Sequence, residues 1–243
     1  MYSSQQEMRN VVSETIRKPI AERRQAMVNR KDSLAAIATC FQVPVSTLDA
    51  HDREMVKAGV RPHSHRGQNP PPMTAQDVIH MTFAATGKRS VKSAAEEVAE
   101  IAGLALRGGI RELRDLDPLT QDLVYTQDGD TLTPDGILNG ATLQFYPRNQ
   151  VPMGSTFGES LANVIERTPV TVVLEDLSAT VRWPPMSAEI RFRLEKFRYR
   201  LFFGAVDVGK AVGVTYRVQR KAPIYSFEYQ RDLLEWLGEI YRS

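Results

Sequence analysis

Leu34-Ala35-Ala36-Ile37-Ala38-Thr39-Cys40-Phe41-Gln42-Val43-Pro44-Val45-Ser46-Thr47-Leu48 is the stretch from which the fold is best read. Its apolar positions fall at helical spacing on either side of a break, which predicts two short helices around a tight turn. Leu34, Ile37, Ala38, Val43 and Leu48 then face inward. Ala38 falls where the helices cross and only a small side chain fits. Val43 follows the turn and fills the gap, while Ser46 and Thr47 open the second helix with polar groups outward.

Working downstream, Arg53-Glu54-Met55-Val56-Lys57-Ala58-Gly59-Val60-Arg61-Pro62 has a glycine to close the second helix and a proline to lead the chain away. Residues 61–72 form a basic loop by composition, and three prolines stiffen its exit. Thr74, with Asp77 at the third helical position, predicts a capped helix running to about Ala85. Over about residues 30–85 this order resembles the helix-turn-helix of bacterial, phage and mobile-element transcriptional regulators, in a MerR-like winged arrangement. The motif itself covers about residues 33–59.

The resemblance implies that the second helix enters the DNA major groove. Ser46, Thr47, Asp49, His51 and Arg53 would then meet DNA from that helix. Arg61, His63, His65 and Arg66 would meet phosphates or the minor groove from the loop. Thr47 and Arg53 are the base-reading candidates, because Asp49 suits only a cytosine amino group. The turn position that is glycine in such regulators is Gln42, where a left-handed backbone costs about 1 kcal/mol. Pro44 suits the first turn of a helix, where its missing N–H is no loss. A plain helical hairpin within an all-α domain accounts for the same pattern without DNA.

Composition sets the bounds. A chain of 243 residues is long enough for one large domain or two small ones. No apolar run approaches the roughly 20 residues that span a bilayer, and the first residues lack the apolar core of a secretory signal. Cys40 is the only cysteine, which excludes an intramolecular disulfide and a cysteine-clustered zinc site. A bacterial cytoplasmic setting, with no membrane partner, is therefore expected. The net charge of +2 is nearly neutral, but its distribution is uneven. Residues 1–70 hold eleven Lys and Arg against seven Asp and Glu, and residues 189–221 hold nine against three. Local basic faces of this kind attract phosphate, or are simply the solvated sides of amphipathic elements.

Elsewhere the chain reads as follows. Residues 4–28 carry a helical stripe of Met8, Val11, Val12, Thr15 and Ile16, interrupted by Pro19, and Asp32 or Ser33 caps the helix that begins the turn motif. Ser90 or Ser93 caps a helix running to about Leu106, closed by Gly108-Gly109. From about residue 120 the period becomes two, with short strands at Leu123–Tyr125 and Ala141–Tyr146 between turns at Asp128-Gly129-Asp130 and Pro134-Asp135-Gly136. Phe157–Arg167 reads as a helix. Strands follow at Val170–Glu175, Ala179–Trp183, Ile190–Leu194, Phe197–Leu201 and Val212–Val218, then an amphipathic helix at Tyr229–Tyr241. Arg191, Arg193, Arg198 and Arg200 share one sheet face. They form a polyanion-binding surface, pair across a subunit interface, or keep exposed strands from aggregating.

The expected fold is α+β, with a helical N-terminal half containing a (winged) helix-turn-helix, then an antiparallel β-sheet domain with a C-terminal helix. The expected division is residues 1–110 for DNA binding and 120–243 for dimerisation or partner binding. No glycine-rich phosphate loop, nucleophile elbow or His-Glu-x-x-His pair is present, so neither an enzyme nor a cofactor is expected. His63 and His65 lack a third metal ligand nearby. The expected function is a dimeric, sequence-specific regulator of transcription on double-stranded DNA, its C-terminal half meeting RNA polymerase or another protein. The alternative is a phage interaction or adaptor protein that uses the helix pair as a scaffold.

Overall fold

The computed structural model describes residues 30–62, 73–86, 90–116, 123–125, 129–139, 153–167, 175–183, 186–194, 197–206 and 225–242. Four helices come first: α1 (Arg30–Cys40), α2 (Val45–Lys57), α3 (Ala75–Ala85) and α4 (Val91–Ala102). The strands β1 (Leu106–Leu116), β2 (Leu123–Tyr125) and β3 (Asp130–Leu132) precede two helices, α5 (Pro134–Leu138) and α6 (Phe157–Arg167). The chain closes with β4 (Glu175–Trp183), β5 (Ser187–Leu194), β6 (Phe197–Gly204), β7 (Tyr225–Gln230) and α7 (Arg231–Arg242). The architecture is α+β, as the change of period predicts. None of the described helices is long and apolar enough to cross a membrane. The sequence-predicted helix at 4–28 and the strands at 141–146, 170–174 and 212–218 lie outside the described residues.

The sheet runs β2-β1-β6-β5-β4-β7, every described pairing is antiparallel, and β3 pairs with β1 off this path. Tyr229 opposes Ala179, Ala179 opposes Ile190, and Ile190 opposes Leu201. All four are buried, so this row lies on the inner face of the sheet. The helices cover that face. Phe83 of α3 stacks on Phe157 of α6 with centroids 5.7 Å apart, and Phe157 leans on Phe203 of β6 at 5.4 Å. Phe83 also meets Tyr229 of β7 edge-on at 6.0 Å. Offset and edge-to-face contacts of this kind add about 0.5–1.5 kcal/mol each beyond their buried area.

This aromatic seam joins the helical layer to the sheet within one large cluster of buried apolar residues that reaches from Leu34 to Ile240, and Ile110 and Phe202 form a second, small cluster with Val206. The boundary expected near residues 110–120 runs through β1.

Local signals explain most helix starts. Thr74 and Asp77 form a reciprocal capping box at α3, and the Ser90 hydroxyl accepts the Ser93 N–H at α4. Four expectations need correction. Asp32 and Ser33 lie inside the first turn of α1, which begins at Arg30, so neither caps it. The helix at 91–102 stops at Ala102 with Gly103 as its cap. Gly108-Gly109 then belong to β1. Gly108 (φ 132°) sits where the β1–β6 register shifts, and at Gly109 the strands come so close that a Cβ would meet the Arg200 carbonyl oxygen at 2.8 Å. Pro134-Asp135-Gly136 continues into the short helix α5, capped by Thr133. Tyr229 ends up in β7, because pairing with β4 and burial against Phe83 outweigh its fit to the amphipathic stripe of α7.

Replacing Gly109 by Ala is expected to lower stability by about 1–3 kcal/mol through overpacking. Urea unfolding should show a lower midpoint at unchanged slope.

Candidate nucleic-acid interface

The turn between α1 and α2 is built from backbone hydrogen bonds. After Cys40 the chain enters the left-handed region at Gln42 (φ 53°). The Val43 N–H then donates to the Ala38 carbonyl at 3.0 Å, and the Gln42 N–H to the Thr39 carbonyl at 3.3 Å. This pair of bonds is the Schellman closure of a helix, here made without glycine. Ala38 is buried in the crossing. Pro44 stands just before α2 with extended backbone, and its carbonyl accepts the N–H groups of Thr47 and Leu48 at 2.9 and 3.3 Å.

α2 ends with the same closure, this time at a glycine. Gly59 (φ 73°) donates to the Val56 carbonyl at 3.1 Å, and Val60 donates to Met55 at 2.9 Å. The chain therefore reverses at Gly59 and carries Arg61 back beneath the helix.

The inner face of α2 consists of Leu48, His51, Asp52 and Met55, all buried. Asp52 has no exposed surface, so its charge must be met locally. Arg61 Nη1 pairs with Asp52 Oδ1, and Arg30 Nη2 pairs with Asp52 Oδ2. Arg61 Nε also donates to Asp77 Oδ1 at 2.8 Å. Asp77 Oδ2 in turn accepts the Thr74 N–H at 2.9 Å. A chain of charges thus ties the start of α1, the middle of α2 and the first turn of α3. Next to it lies His80 of α3, whose two ring nitrogens have no hydrogen-bond partner among the described residues. Burial lowers the His80 pKa; nearby Asp77 opposes the shift and Arg61 reinforces it.

The outer face carries the rest. Ser46 is exposed, Thr47 and Asp49 are half-buried, and the Arg53 and Lys57 side chains are 69% and 70% exposed. Arg53 Nη2 pairs with Asp49 across one turn, and Lys57 Nζ lies 2.5 Å from Glu54 Oε1. Arg30 Nη2 reaches to 3.9 Å from Asp49. The exposed charges of α2 are therefore nearly balanced along its length.

The structure gathers Ser46, Asp49 and Arg53 on one face of α2, leaves Thr47 half-buried at the edge next to His51, and corrects two other assignments. His51 is buried because it falls three residues after Leu48, on the inner stripe. Arg61 is buried because the Gly59 reversal turns it onto Asp52 and Asp77. Neither can meet DNA from this position. His63, His65 and Arg66 lie outside the described residues.

Sequence reasoning missed the roles of Asp52 and Arg30. The signal for Asp52 was present: it stands four residues after Leu48 and three before Met55, inside an apolar stripe. Cys40 lines an open apolar groove of about 770 Å³ between α1 and α7, with Ala36, Thr39, Leu233 and Trp236. Partial burial raises the Cys40 pKa, so the thiol stays protonated at neutral pH and is a poor nucleophile. Among the described residues no group of His, Cys, Asp and Glu is placed to hold a metal ion. Comparison with known proteins finds no matching family model, curated protein or solved structure.

Arg61→Ala, which removes the cation shared by two buried carboxylates and leaves Asp52 with Arg30 alone, is expected to cost about 3–5 kcal/mol. Arg53→Ala on the outer face should stay within about 0.5 kcal/mol. Chemical denaturation of the two variants checks the contrast between the inner and outer faces.

Histidine adds a pH dependence. With the His80 pKa lower in the folded state, the unfolded chain takes up a proton first as pH falls through the ordinary histidine value near about 6.5. The stability present at neutral pH should therefore decline on the acid side. His80→Leu should flatten that part of the profile; an unchanged slope would assign it to other groups.

Proposed function

We propose that this chain binds double-stranded DNA through the outer face of α2, as a sequence-specific regulator of transcription acting as a dimer. The observation that carries the reading is the division of labour on α2. Packing and charge pairing occupy Leu48, His51, Asp52 and Met55, whereas Ser46, Asp49, Arg53 and Lys57 face outward. The left-handed turn at Gln42 and the small, buried Ala38 support reading the helix pair as a helix-turn-helix. Thr47 and Arg53 are the base-reading residues, with Ser46 beside them, and Arg53 is paired with Asp49 across one turn. One short helix reads only a few base pairs, so two copies on two half-sites supply the specificity.

A second reading is favoured by the charge balance of α2. Because Arg53 and Lys57 are each paired with a carboxylate, this surface also suits a protein partner. An adaptor that uses the helix pair as a scaffold would bind every duplex weakly and alike.

Fluorescence anisotropy separates the two readings. The probes are a labelled duplex from the DNA upstream of the chain's own coding sequence and an unrelated duplex of equal length. A regulator should hold the first much more tightly and lose affinity steeply with added salt. Thr47→Ala with Arg53→Ala should abolish the preference, a loss of about 10-fold or more. Asp49→Asn, which frees Arg53 and removes a charge that repels phosphate, should strengthen binding to both duplexes. Undiminished site preference in the double variant would place another element in the groove.

A further inference from the structure

The second face of the sheet, opposite the helices, carries an excess of positive charge at one spot. The register of β4, β5 and β6 puts Arg182, Glu189, Arg191 and Arg200 together on this face. Glu189 is only 4% exposed and sits among the three arginines. Arg200 Nε donates to its Oε1 at 2.7 Å. Arg191 Nη2 lies 3.4 Å from the same oxygen, and Arg182 Nη1 lies 3.4 Å from Oε2. Burial alone would raise the Glu189 pKa, but Arg200, followed by Arg191 and Arg182, outweighs it and holds the carboxyl below its ordinary value. The carboxylate is therefore ionised at neutral pH; its hydrogen bond is with Arg200, and Arg182 and Arg191 have no other carboxylate within ion-pair distance among the described residues.

The unmatched charge is local. Further along the same face, Arg193 pairs with Glu175 and Asp176, and Arg198 donates to Glu112 at 2.6 Å. Among the described residues, the next carboxylate toward β7 is Glu228, opposite Thr180 and one strand beyond it from Glu189. At the cluster itself, the Arg182 and Arg191 side chains remain 44% and 43% exposed while their inner ends contact Glu189 at the limit of hydrogen bonding. The Arg191 Nε is buried with no hydrogen-bond partner among the described residues, a donor left over after Glu189 is served. Arg200 is anchored from both sides, by Glu189 and by the Phe202 ring 5.2 Å beneath its guanidinium.

We propose that Arg182 and Arg191, braced by Arg200 on the buried Glu189, form a binding site for a single phosphate group on the outer face of the sheet. Guanidinium forks match the oxygens of phosphate, and two of them reaching the two oxygens of one carboxylate are close enough to share one tetrahedral anion. A dianion supplies the two charges that Glu189 leaves unmatched. Confinement of the excess to this spot favours one compact phosphomonoester over a nucleic-acid track, which would need the flanking arginines free.

Isothermal titration of the full chain with inorganic phosphate, at low chloride and pH 7.5, tests the site. Saturable binding of one phosphate per chain is expected. Arg182→Gln and Arg191→Gln, each at a half-exposed position, should weaken it at least 5-fold singly and beyond detection together, with circular dichroism confirming the fold. Thr47→Ala with Arg53→Ala should leave phosphate binding intact, so the site stands or falls apart from the α2 interface. Phosphoserine should compete with phosphate. Binding that is non-saturable, or unchanged in the single variants, would overturn the proposal. So would tighter binding of a single-stranded oligonucleotide that depends on Arg193 and Arg198, or capture of an acidic peptide without competition by phosphate.

Discussion

Asp52 is a carboxylate with no contact with solvent, and the arrangement of the first three helices follows from how its charge is met. Arg61 reaches it from the segment after α2, and Arg30 reaches it from the first turn of α1. Arg61 carries the chain of charges on to Asp77, which also completes the capping box of α3 with Thr74. Buried ion pairs contribute little net stability, since desolvation offsets attraction, but a misplaced partner leaves a bare charge in the interior. The network therefore penalises alternatives. It holds α2 at one roll about its axis, with Leu48 and Met55 inward and Arg53 and Lys57 outward. The outer surface of α2 is in this sense a by-product of how its inner surface is neutralised.

The helical layer does not stand apart from the sheet. Phe83, Phe157, Phe203 and Tyr229 meet across the junction, so α3, α6, β6 and β7 share one packed seam. The molecule consequently presents two arginine-bearing surfaces of different character. On α2 each outward cation has a carboxylate within the next turn, and the face is balanced. On the outer sheet, three guanidiniums converge on one carboxylate. A balanced face relies on shape and directed hydrogen bonds for recognition, whereas a convergent one attracts an anion by charge first.

Several elements were legible because their signals are local. Thr74 with Asp77 at the N3 position specified the start of α3, and Phe157–Arg167, read as a helix, is α6, with Leu161, Val164 and Ile165 buried. The alternation of β5 and β6 put Arg191, Arg193, Arg198 and Arg200 on one sheet face, and Phe192 and Tyr199 are buried on the other. Signals with two readings went astray. Gly108-Gly109 fits both a helix stop and a close strand crossing, and only the approach of β6 distinguishes them. Tyr229 fits the stripe of α7 as well as a strand, until β4 is there to pair with it. The candidate interface was half legible: the spacing from Leu48 puts His51 on the inner stripe, whereas its expected place at the DNA followed only from the resemblance.

By itself, the order of residues determined the secondary structure around caps, periods and turn positions, since these depend on neighbours a few positions away. It also determined the helix pair about Gln42, whose closure uses only backbone groups of α1 and the turn. Beyond Asp52, whose place in an apolar stripe is local, which arginines serve the interior and which serve a surface was decided by tertiary structure. Arg61 and Arg53 are the same residue type eight positions apart, yet one is enclosed by Asp52 and Asp77 and the other stands in solvent. A side chain's electrostatic role depends on the partners within a few ångströms, and folding brings those partners from α1, α3 and, for Glu189, from the two flanking strands.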